Sequence, residues 1–477
     1  MWLARGVIAC LGMFGSDPTR ATVTELSAAL ESRQLSPVGL MDAVLARIAR
    51  RDPELHAFVT VYRDEARLAA EAAERAIRSG HRIGPLHGIP VALKDLVELE
   101  GRVTTGGSKA WLSRISPETA TLARRLVEAG MIVLGKTHTV EFAMGGFGTN
   151  VELGTPRNPW DLRVHRTPGG SSSGSGVAVA AALVPAAIGT DTGGSVRLPS
   201  AWCGIVGLKV TVGRISTHGV LPLSTTLDTP GPMTRSVEDA AILFRVLQGP
   251  DPHDPRTRLE PPIDPIPGLR RGVAGLRLGI LSQSERAGVD SEVLEAYDRA
   301  VDALARLGAR VEQARLPRSF QDYLAGTGRI IAAEAYHVLG PLAEDPALPL
   351  DTHVRARLLQ GRGVTARDYL AALHQQAGDQ RAYVAATSDL DALLTPTTRT
   401  PAIPLTEVDE GTTPAYFTRM ANYLGLCALA VPNGLTRAGL PTSLQIIGHP
   451  FAEATVLRIG WAYEQATEWH MRRPPEA

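Results

Sequence analysis

The segment from Pro168 to Pro199 constrains the fold more than any other part of the chain. Two loops rich in glycine and serine flank a run of small apolar residues, Val177 to Leu183, in the sequence PGGSSSGSGVAVAAALVPAAIGTDTGGSVRLP. Side chains this small are typical of a helix or strand that packs tightly against its neighbours. Because the loops bracket a buried element, we expect them to be ordered parts of a site and not a flexible linker.

Two familiar sites built on glycine-rich loops do not fit this segment. A phosphate-binding loop points backbone N–H groups at an anion, but neither loop continues in the G-K-[ST] pattern, which excludes a P-loop. Residues Gly170 to Gly174 formally match G-x-S-x-G. A nucleophile elbow, however, needs a strand directly before the serine, and residues 158–168 are predicted to form a loop.

Helix and strand patterns alternate along the chain and predict an α/β fold. Apolar residues at three- and four-residue spacing predict two helices between Thr24 and Arg51, separated at Ser36-Pro37. Lys94-Asp95 directly follows a strand-like run, Val91 to Leu93. Further helices are predicted over 64–79, 119–130, 292–307 and 452–468, and further strands over 131–135, 276–281, 310–312, 392–394 and 442–447. The stretch 249–275, rich in proline and charge, is predicted to cross the surface.

Charge, hydropathy and cysteine content exclude several classes of protein. Forty-nine basic residues balance forty-nine acidic ones, so no overall field favours nucleic acid or an anionic membrane surface. No stretch approaches the roughly 20 apolar residues of a membrane span. Cys10, Cys203 and Cys427 lack C-x-x-C spacing, and the twelve histidines lack H-E-x-x-H spacing, so neither a disulfide framework nor a metal site is predicted.

These exclusions favour a cytoplasmic protein that acts on a small molecule without a metal or cofactor. We expect a monomer or homodimer that binds neither nucleic acid nor membrane, with Cys203 as a small core residue. The first 15 residues contain a short apolar run, but it lacks an A-x-A cleavage site, so a targeting segment is the less favoured interpretation.

Two separate motifs resemble the amidase signature family of serine hydrolases. They are GIPVALKD and, downstream, GGSSSGSGVAVAAALVPAAIGTDTGGSVRLPSAWCGIVGLK. The resemblance is good from about Gly84 to Asp239 and weaker from Asp389 to Gln465. It implies the amidase signature fold, an α/β architecture in which helices cover both faces of a large mixed central β-sheet.

The resemblance also implies one domain over residues 1–477. Its signature core would lie at about 84–239, and a more variable region that shapes the substrate site at about 249–388. The C-terminal part, 389–477, would return to the core.

Carried over residue by residue, the resemblance implies a catalytic set of Lys94, Ser171 and Ser195. Ser195 would be the nucleophile, Ser171 a bridging serine that follows a cis peptide bond, and Lys94 the general base. The backbone N–H groups of Thr192, Gly193, Gly194 and Ser195 would form the oxyanion hole. Ser172, Asp191 and Arg197 are expected to support the loops, and Ser173 departs from the family, which often has glycine there.

A lysine can act as a base only when its amine is neutral. At an unperturbed pKa near 10.4, deprotonating Lys94 at pH 7 would cost roughly 4.6 kcal/mol. Burial after an apolar strand would supply much of this free energy. Asp95 would oppose it if its side chain turned inward, and we expect that side chain to point away.

The substrate is expected to be selected mainly by the variable middle region and by the loop residues Met144, Gly145, Gly146 and Phe147, which are small or apolar. They predict a roomy pocket for a small neutral amide, and the same chemistry would cleave esters and carbamates (urethanes). Two alternatives stay open. One is the A subunit of a glutamine-dependent tRNA amidotransferase, although residues 414–420 lack the acid that holds the amino group of glutamine in that branch. The other is a non-catalytic binding subunit, which the intact catalytic set opposes.

Overall fold

An eleven-stranded β-sheet runs through the computed structural model, which describes residues 17–475. The strands are β1 (Phe58–Val61), β2 (Pro90–Lys94), β3 (Ile132–Thr137), β4 (Ala186–Asp191), β5 (Val206–Lys209), β6 (Thr229–Thr234), β7 (Arg277–Ile280), β8 (Arg310–Gln313), β9 (Ala392–Pro396), β10 (Ala428–Leu435) and β11 (Pro441–Ile447). Their order is β1-β3-β2-β4-β6-β5-β10-β11-β9-β7-β8. Strands β3, β2 and β4 are parallel, as are β9, β7 and β8, and the other neighbours are antiparallel. The expected large mixed sheet is confirmed.

Fourteen α-helices surround the sheet in the described part of the chain. They are α1 (Val23–Glu31), α2 (Pro37–Leu55), α3 (Arg63–Arg78), α4 (Thr121–Glu128), α5 (Ser173–Ala180), α6 (Arg197–Cys203), α7 (Val237–Leu247), α8 (Ile266–Leu269), α9 (Ser291–Arg306), α10 (Phe320–Glu344), α11 (Thr352–Leu359), α12 (Ala366–Ala386), α13 (Arg419–Tyr423) and α14 (Glu453–Thr467). The helices and strands predicted from periodicity are confirmed with small shifts at their ends. The two longest helices, α10 and α12, lie where no element was predicted.

Helices cover both faces of the sheet, and β5 shows how. Successive residues of a strand point to opposite faces. A Cβ at Gly207 would overlap the Ser200 side chain of α6, so α6 packs on that face. The next residue, Leu208, is paired with Leu429 of β10, and the Leu429 side chain lies against Gly460 of α14 on the opposite face.

The apolar core is continuous from Ala21 to Tyr463. The sheet takes strands from each of the three predicted regions of the chain, whose boundaries stay a prediction. Cys203 is buried in this core, as expected, and both it and Cys427 are free thiols. Cys10 and the first 15 residues lie outside the described part. Between residues 17 and 475, none of the helices has the length and apolar character needed to cross a bilayer.

Candidate active site

Lys94 lies at the carboxyl end of β2, between its parallel neighbours β3 and β4. Every residue of β2 is buried, because a parallel strand in the middle of such a sheet is covered on both faces. The register of β2 with β4 aligns Leu93 with Ile188, so the ends of the two strands meet. Thr190, near the end of β4, consequently lies beside the lysine, with its Oγ1 2.8 Å from Lys94 Nζ.

Ser171 lies just before α5 and directly contacts the lysine. Its Oγ is 2.7 Å from Lys94 Nζ, and both side chains are completely buried. The peptide bond between Gly170 and Ser171 is cis. The Ser171 carbonyl accepts hydrogen bonds from the N–H of Val140 at 3.1 Å and from the hydroxyl of Thr139 at 3.0 Å. The loop is therefore fixed on the side away from the lysine as well.

Ser195 lies in the turn between β4 and α6, and its side chain faces a cleft. The Ser195 carbonyl accepts a hydrogen bond from the N–H of Ser172 at 3.2 Å, which joins the two serine loops. Among the described residues no hydrogen bond links the hydroxyls of Ser171 and Ser195. Catalytic hydrogen bonds are often long without substrate and tighten on binding. The geometry thus has a serine that lines the cleft, with 7% of its surface exposed, beside a completely buried serine and lysine.

Burial lowers the pKa of Lys94 to about 7, although the carboxylates of Asp228 and Asp191 act in the opposite direction. Asp95, the next residue in the chain, does not face Lys94. Its carboxylate forms a buried ion pair with Lys136 at 3.2 Å, so the expected orientation of Asp95 is confirmed. A substantial fraction of Lys94 is therefore neutral near pH 7.

Three backbone N–H groups beside the cleft have no acceptor within residues 17–475: those of Thr192, Gly193 and Ser195. The N–H of Gly194 differs from the expectation because it donates to Asp191 Oδ1 at 2.8 Å. Glycine is required at position 194 for a different reason, the backbone conformation and the lack of space for a side chain. Its φ is 133°, and a Cβ there would overlap the Thr418 hydroxyl.

Asp191 and Arg197 form a buried, two-pronged ion pair under the loop of Ser195. Arg197 Nη2 lies 2.9 Å from Asp191 Oδ1, and Nε lies 3.0 Å from Oδ2. The remaining guanidinium donors bind the Thr418 carbonyl, Gln445 Oε1 and Asn422 Oδ1. Burial would raise the pKa of Asp191, but the charge of Arg197 outweighs this and lowers it well below its usual value. The pair therefore braces the loop and has no capacity left for a ligand.

Ser172 supports the opposite side of the site. Its Oγ lies 3.3 Å from both the backbone N and the backbone O of Thr190. Since the Thr190 hydroxyl contacts Lys94, Ser172 holds the lysine's second partner in place. Nothing in the sequence marked Thr190 beyond its position before Asp191, because its role depends on the register of β2 with β4.

The cleft in front of Ser195 only partly matches the predicted pocket. Met144, Gly145 and Gly146 line it beside Ser195, and Phe147 lines its outer part. The cleft is also bordered by charged side chains, namely Arg357, Arg399, Arg419 and Glu410. The lining is therefore not neutral throughout, although the motif residues indicate a neutral pocket. The charged residues come from segments that lie outside the motifs.

Known proteins resemble this chain over nearly its whole length. A family model described as Amidase matches residues 40–457. A protein named Amidase from Pseudomonas putida is 42% identical over 96% of this chain and 98% of its own length. The A subunit of glutamyl-tRNA(Gln) amidotransferase from Geobacter metallireducens is 39% identical over 95% of this chain and 98% of its own. Native peptide amidase from Stenotrophomonas maltophilia superposes with a TM-score of 0.83 at 33% identity, covering 96% of this chain and 98% of that one.

Proposed function

Because this chain belongs to the amidase signature family, we propose that it hydrolyses amide bonds of small molecules through an acyl-enzyme on Ser195. The observation that supports this most directly is the 2.7 Å contact between Lys94 Nζ and Ser171 Oγ, buried immediately behind the serine that faces the cleft. A serine hydroxyl becomes a good nucleophile only when a base removes its proton, and this contact offers a route for that proton.

Lys94 begins the proposed cycle as a neutral amine. It accepts the proton of the Ser171 hydroxyl while Ser171 accepts the proton of Ser195, whose Oγ attacks the carbonyl carbon of the substrate. A pKa of about 7 suits this task, because a base works best when its pKa lies near the working pH.

The tetrahedral oxyanion that results would accept hydrogen bonds from the free N–H groups of Thr192, Gly193 and Ser195. Each such donor typically contributes about 3 kcal/mol to the stability of the transition state. The relay then runs backwards and protonates the leaving nitrogen, so that the C–N bond breaks and an ester on Ser195 remains. Water attacks that ester and regenerates the serine. Esters and carbamates would follow the same path.

The A subunit of the amidotransferase is the second candidate, since a relative of that name is 39% identical to this chain. The segment before Ala421-Asn422 argues against it. Residue Ala415 of that segment lines the cleft beside Ser195, and residues 414–420 contain no acid that could hold the amino group of glutamine. A stand-alone hydrolase is therefore the better proposal, and turnover restricted to glutamine would refute it.

The experiment combines labelling with a substrate panel. We expect a fluorophosphonate to modify Ser195, located by mass spectrometry, and Ser195→Ala to abolish the adduct. Ser173→Ala is the matched control from the same serine-rich loop and should be labelled like the wild type, because its hydroxyl makes only a 3.5 Å contact with the His138 carbonyl. Anilides, primary amides, esters and carbamates are then assayed. A folded protein with no adduct on Ser195 would contradict the mechanism.

A further inference from the structure

The arginines around the cleft differ in how well their charge is compensated. Arg357 is matched: its Nη2 lies 2.6 Å from Glu410 Oε2, and its Nη1 donates to the Met144 carbonyl at 2.7 Å. Glu410 is in turn fully engaged, because Thr149 donates to its other carboxylate oxygen at 2.5 Å. Among the described residues that border the cleft, Glu410 is the one with a carboxylate, and this pair uses it.

Arg399 lies in the outer part of the cleft only. The centre of its guanidinium is 3.2 Å from the centre of the Tyr416 ring. Stacking on an aromatic face is a common partner for arginine at an exposed site. Arg399 has no carboxylate partner among residues 17–475 and its Nε is buried without an acceptor, but its guanidinium stacks on Tyr416 and lies away from the part of the cleft that Ser195 lines.

Arg419 has no counter-ion. No carboxylate within residues 17–475 forms an ion pair with it, its Nε is buried without an acceptor, and its Nη1 makes only a 3.3 Å hydrogen bond to the Leu324 carbonyl. Burial lowers its pKa to about 10, and the charge of Arg357 acts in the same direction. The guanidinium is still protonated at neutral pH. The side chain is half-buried in the wall of the cleft, and a charge that is partly removed from water without a partner is costly.

The position of Arg419 is fixed relative to the nucleophile loop. It is the first residue of α13, and the preceding Thr418 donates its hydroxyl to the Gly193 carbonyl at 2.8 Å. A Cβ at Gly193 would lie 3.4 Å from Arg419 Nε. The unpaired guanidinium therefore borders the loop of Ser195 and lines both parts of the cleft.

We infer that Arg419 binds a carboxylate of the substrate, so that the preferred amides carry a negative charge a few bonds from the scissile carbonyl. This inference rests on the proposed hydrolase function and replaces the neutral substrate that the motif residues indicate. The carboxylate has two sources. It lies on the acyl side in the half-amide of a dicarboxylic acid, and on the amine side in an N-acyl amino acid. Arginine suits a carboxylate in either position because its planar guanidinium can donate two parallel hydrogen bonds to the two carboxylate oxygens.

The test compares matched anionic and neutral substrates. The kcat/KM of succinamate is compared with that of butyramide to test a carboxylate on the acyl side of the amide. The kcat/KM of N-acetylglycine is compared with that of N-propylacetamide to test a carboxylate on the amine side. We expect the wild type to prefer the anionic member of one pair, and Arg419→Met to reduce that ratio of kcat/KM by about 10- to 100-fold, the size expected for a charge-assisted hydrogen bond. Arg381→Met removes an exposed arginine of α12 and should leave the ratio unchanged.

A ratio unchanged in Arg419→Met, or no anionic preference in either pair, would overturn the inference while leaving hydrolysis itself intact. If Arg419→Met fails to fold by circular dichroism, Arg419→Lys serves instead, and we expect a smaller loss of the ratio because the charge stays and the fork is lost.

Binding of succinamate and of N-acetylglycine to Ser195→Ala, measured by calorimetry, separates the two proposals. Binding of either compound that disappears in Ser195→Ala/Arg419→Met supports the carboxylate site even if no amide is turned over, in which case the proposed hydrolysis fails alone. Binding that survives in the double variant counts against Arg419.

Discussion

Lys94 and Lys136 lie at the carboxyl ends of two neighbouring strands and are both completely buried, yet their partners differ. In the parallel register of β2 and β3, Lys94 is paired with Thr137 and Lys136 with Leu93. Lys136 forms an ion pair with Asp95 at 3.2 Å and donates to Thr104 Oγ1 at 2.8 Å. Within residues 17–475, Lys94 contacts two hydroxyls and no carboxylate.

The difference shows that burial alone does not make a lysine a base. Burial lowers the pKa of both residues, but at Lys136 the adjacent carboxylate of Asp95 stabilises the cation and opposes the shift. Lys209 is a third case, with a pKa lowered to about 8 by burial and with the carbonyls of Val210 and Leu426 as its acceptors. A carbonyl only accepts, whereas a hydroxyl can both accept and donate a proton. Lys136 also contacts a hydroxyl, that of Thr104, but it is ion-paired with Asp95 as well. Lys94 alone of these three has only hydroxyl groups as its partners.

The largest expected effect is on turnover. Lys94→Met should lower kcat/KM by about 10²- to 10⁴-fold, because general base catalysis typically contributes this much. Lys136→Met, the same substitution one strand away, should change kcat/KM of the folded protein by less than about tenfold, since its partner faces away from the cleft. Steady-state kinetics on protein of verified folded fraction measures both. Equal losses in the two variants would show that the lysines do not differ as the contacts indicate.

Stability should respond in the opposite order. Lys136→Met leaves the buried carboxylate of Asp95 unpaired, and breaking a buried pair typically costs about 3–5 kcal/mol. Lys94→Met removes a costly buried amine, so at pH 6 it should be at least as stable as the wild type. Urea denaturation gives the free energy of unfolding, and a wild-type-like Lys136→Met would contradict the importance of the ion pair.

The pH dependence of this comparison has a definite sign. The folded pKa of Lys94, about 7, lies below its unfolded value of 10.5. Between these pH values the unfolded chain binds more protons, so the wild type gains stability as pH rises. The advantage of Lys94→Met over the wild type should therefore shrink from pH 6 to pH 9.5. An advantage that grows would show that Lys94 is not buried as a neutral amine.

The part of the site that sequence could predict is the part written in contiguous motifs. Lys94 directly follows an apolar strand, and Ser171 and Ser195 lie in loops whose glycines are visible in the sequence. Thr190 and the Lys136–Asp95 pair depend on the register between strands. That register is set by packing across the sheet and not by local sequence.

The fold shows the same limit. Strands next to turns and amphipathic helices such as α9 have a clear period, so they were predictable. Helix α10 packs against α11, α12 and α13. Its buried face includes Gly326, Thr327 and Glu334 as well as apolar residues, so the apolar period in its sequence is weak. The arginines of the cleft lie on α11, just after β9 and on α13, far in sequence from the glycine–serine loops. The sequence motifs therefore predicted the loops of the pocket but not its charged side chains.

The smallest expected effect is on the pH profile and concerns Asp228, a carboxyl group near Lys94. Wild-type kcat/KM should rise with pH through a limb near pH 7, because Lys94 must be neutral. Burial raises the pKa of Asp228 to about 6, although a hydrogen bond from Thr192 opposes this, so above pH 6 the group is mostly ionised and raises the pKa of Lys94.

Asp228→Asn removes that charge and keeps an oxygen that can accept the Thr192 hydroxyl, now 2.5 Å from Asp228 Oδ1. The acid limb of kcat/KM should therefore move to lower pH, and the relative activity at pH 6.5 should increase by less than about tenfold, since one pKa unit is tenfold. Asp95→Asn is the control, because it removes the carboxylate that pairs with Lys136. The acid limb of kcat/KM in this variant should stay at the wild-type pH. A limb that moves in Asp95→Asn and not in Asp228→Asn would reverse the assignment of the two carboxylates and, with it, the distinction between the two lysines.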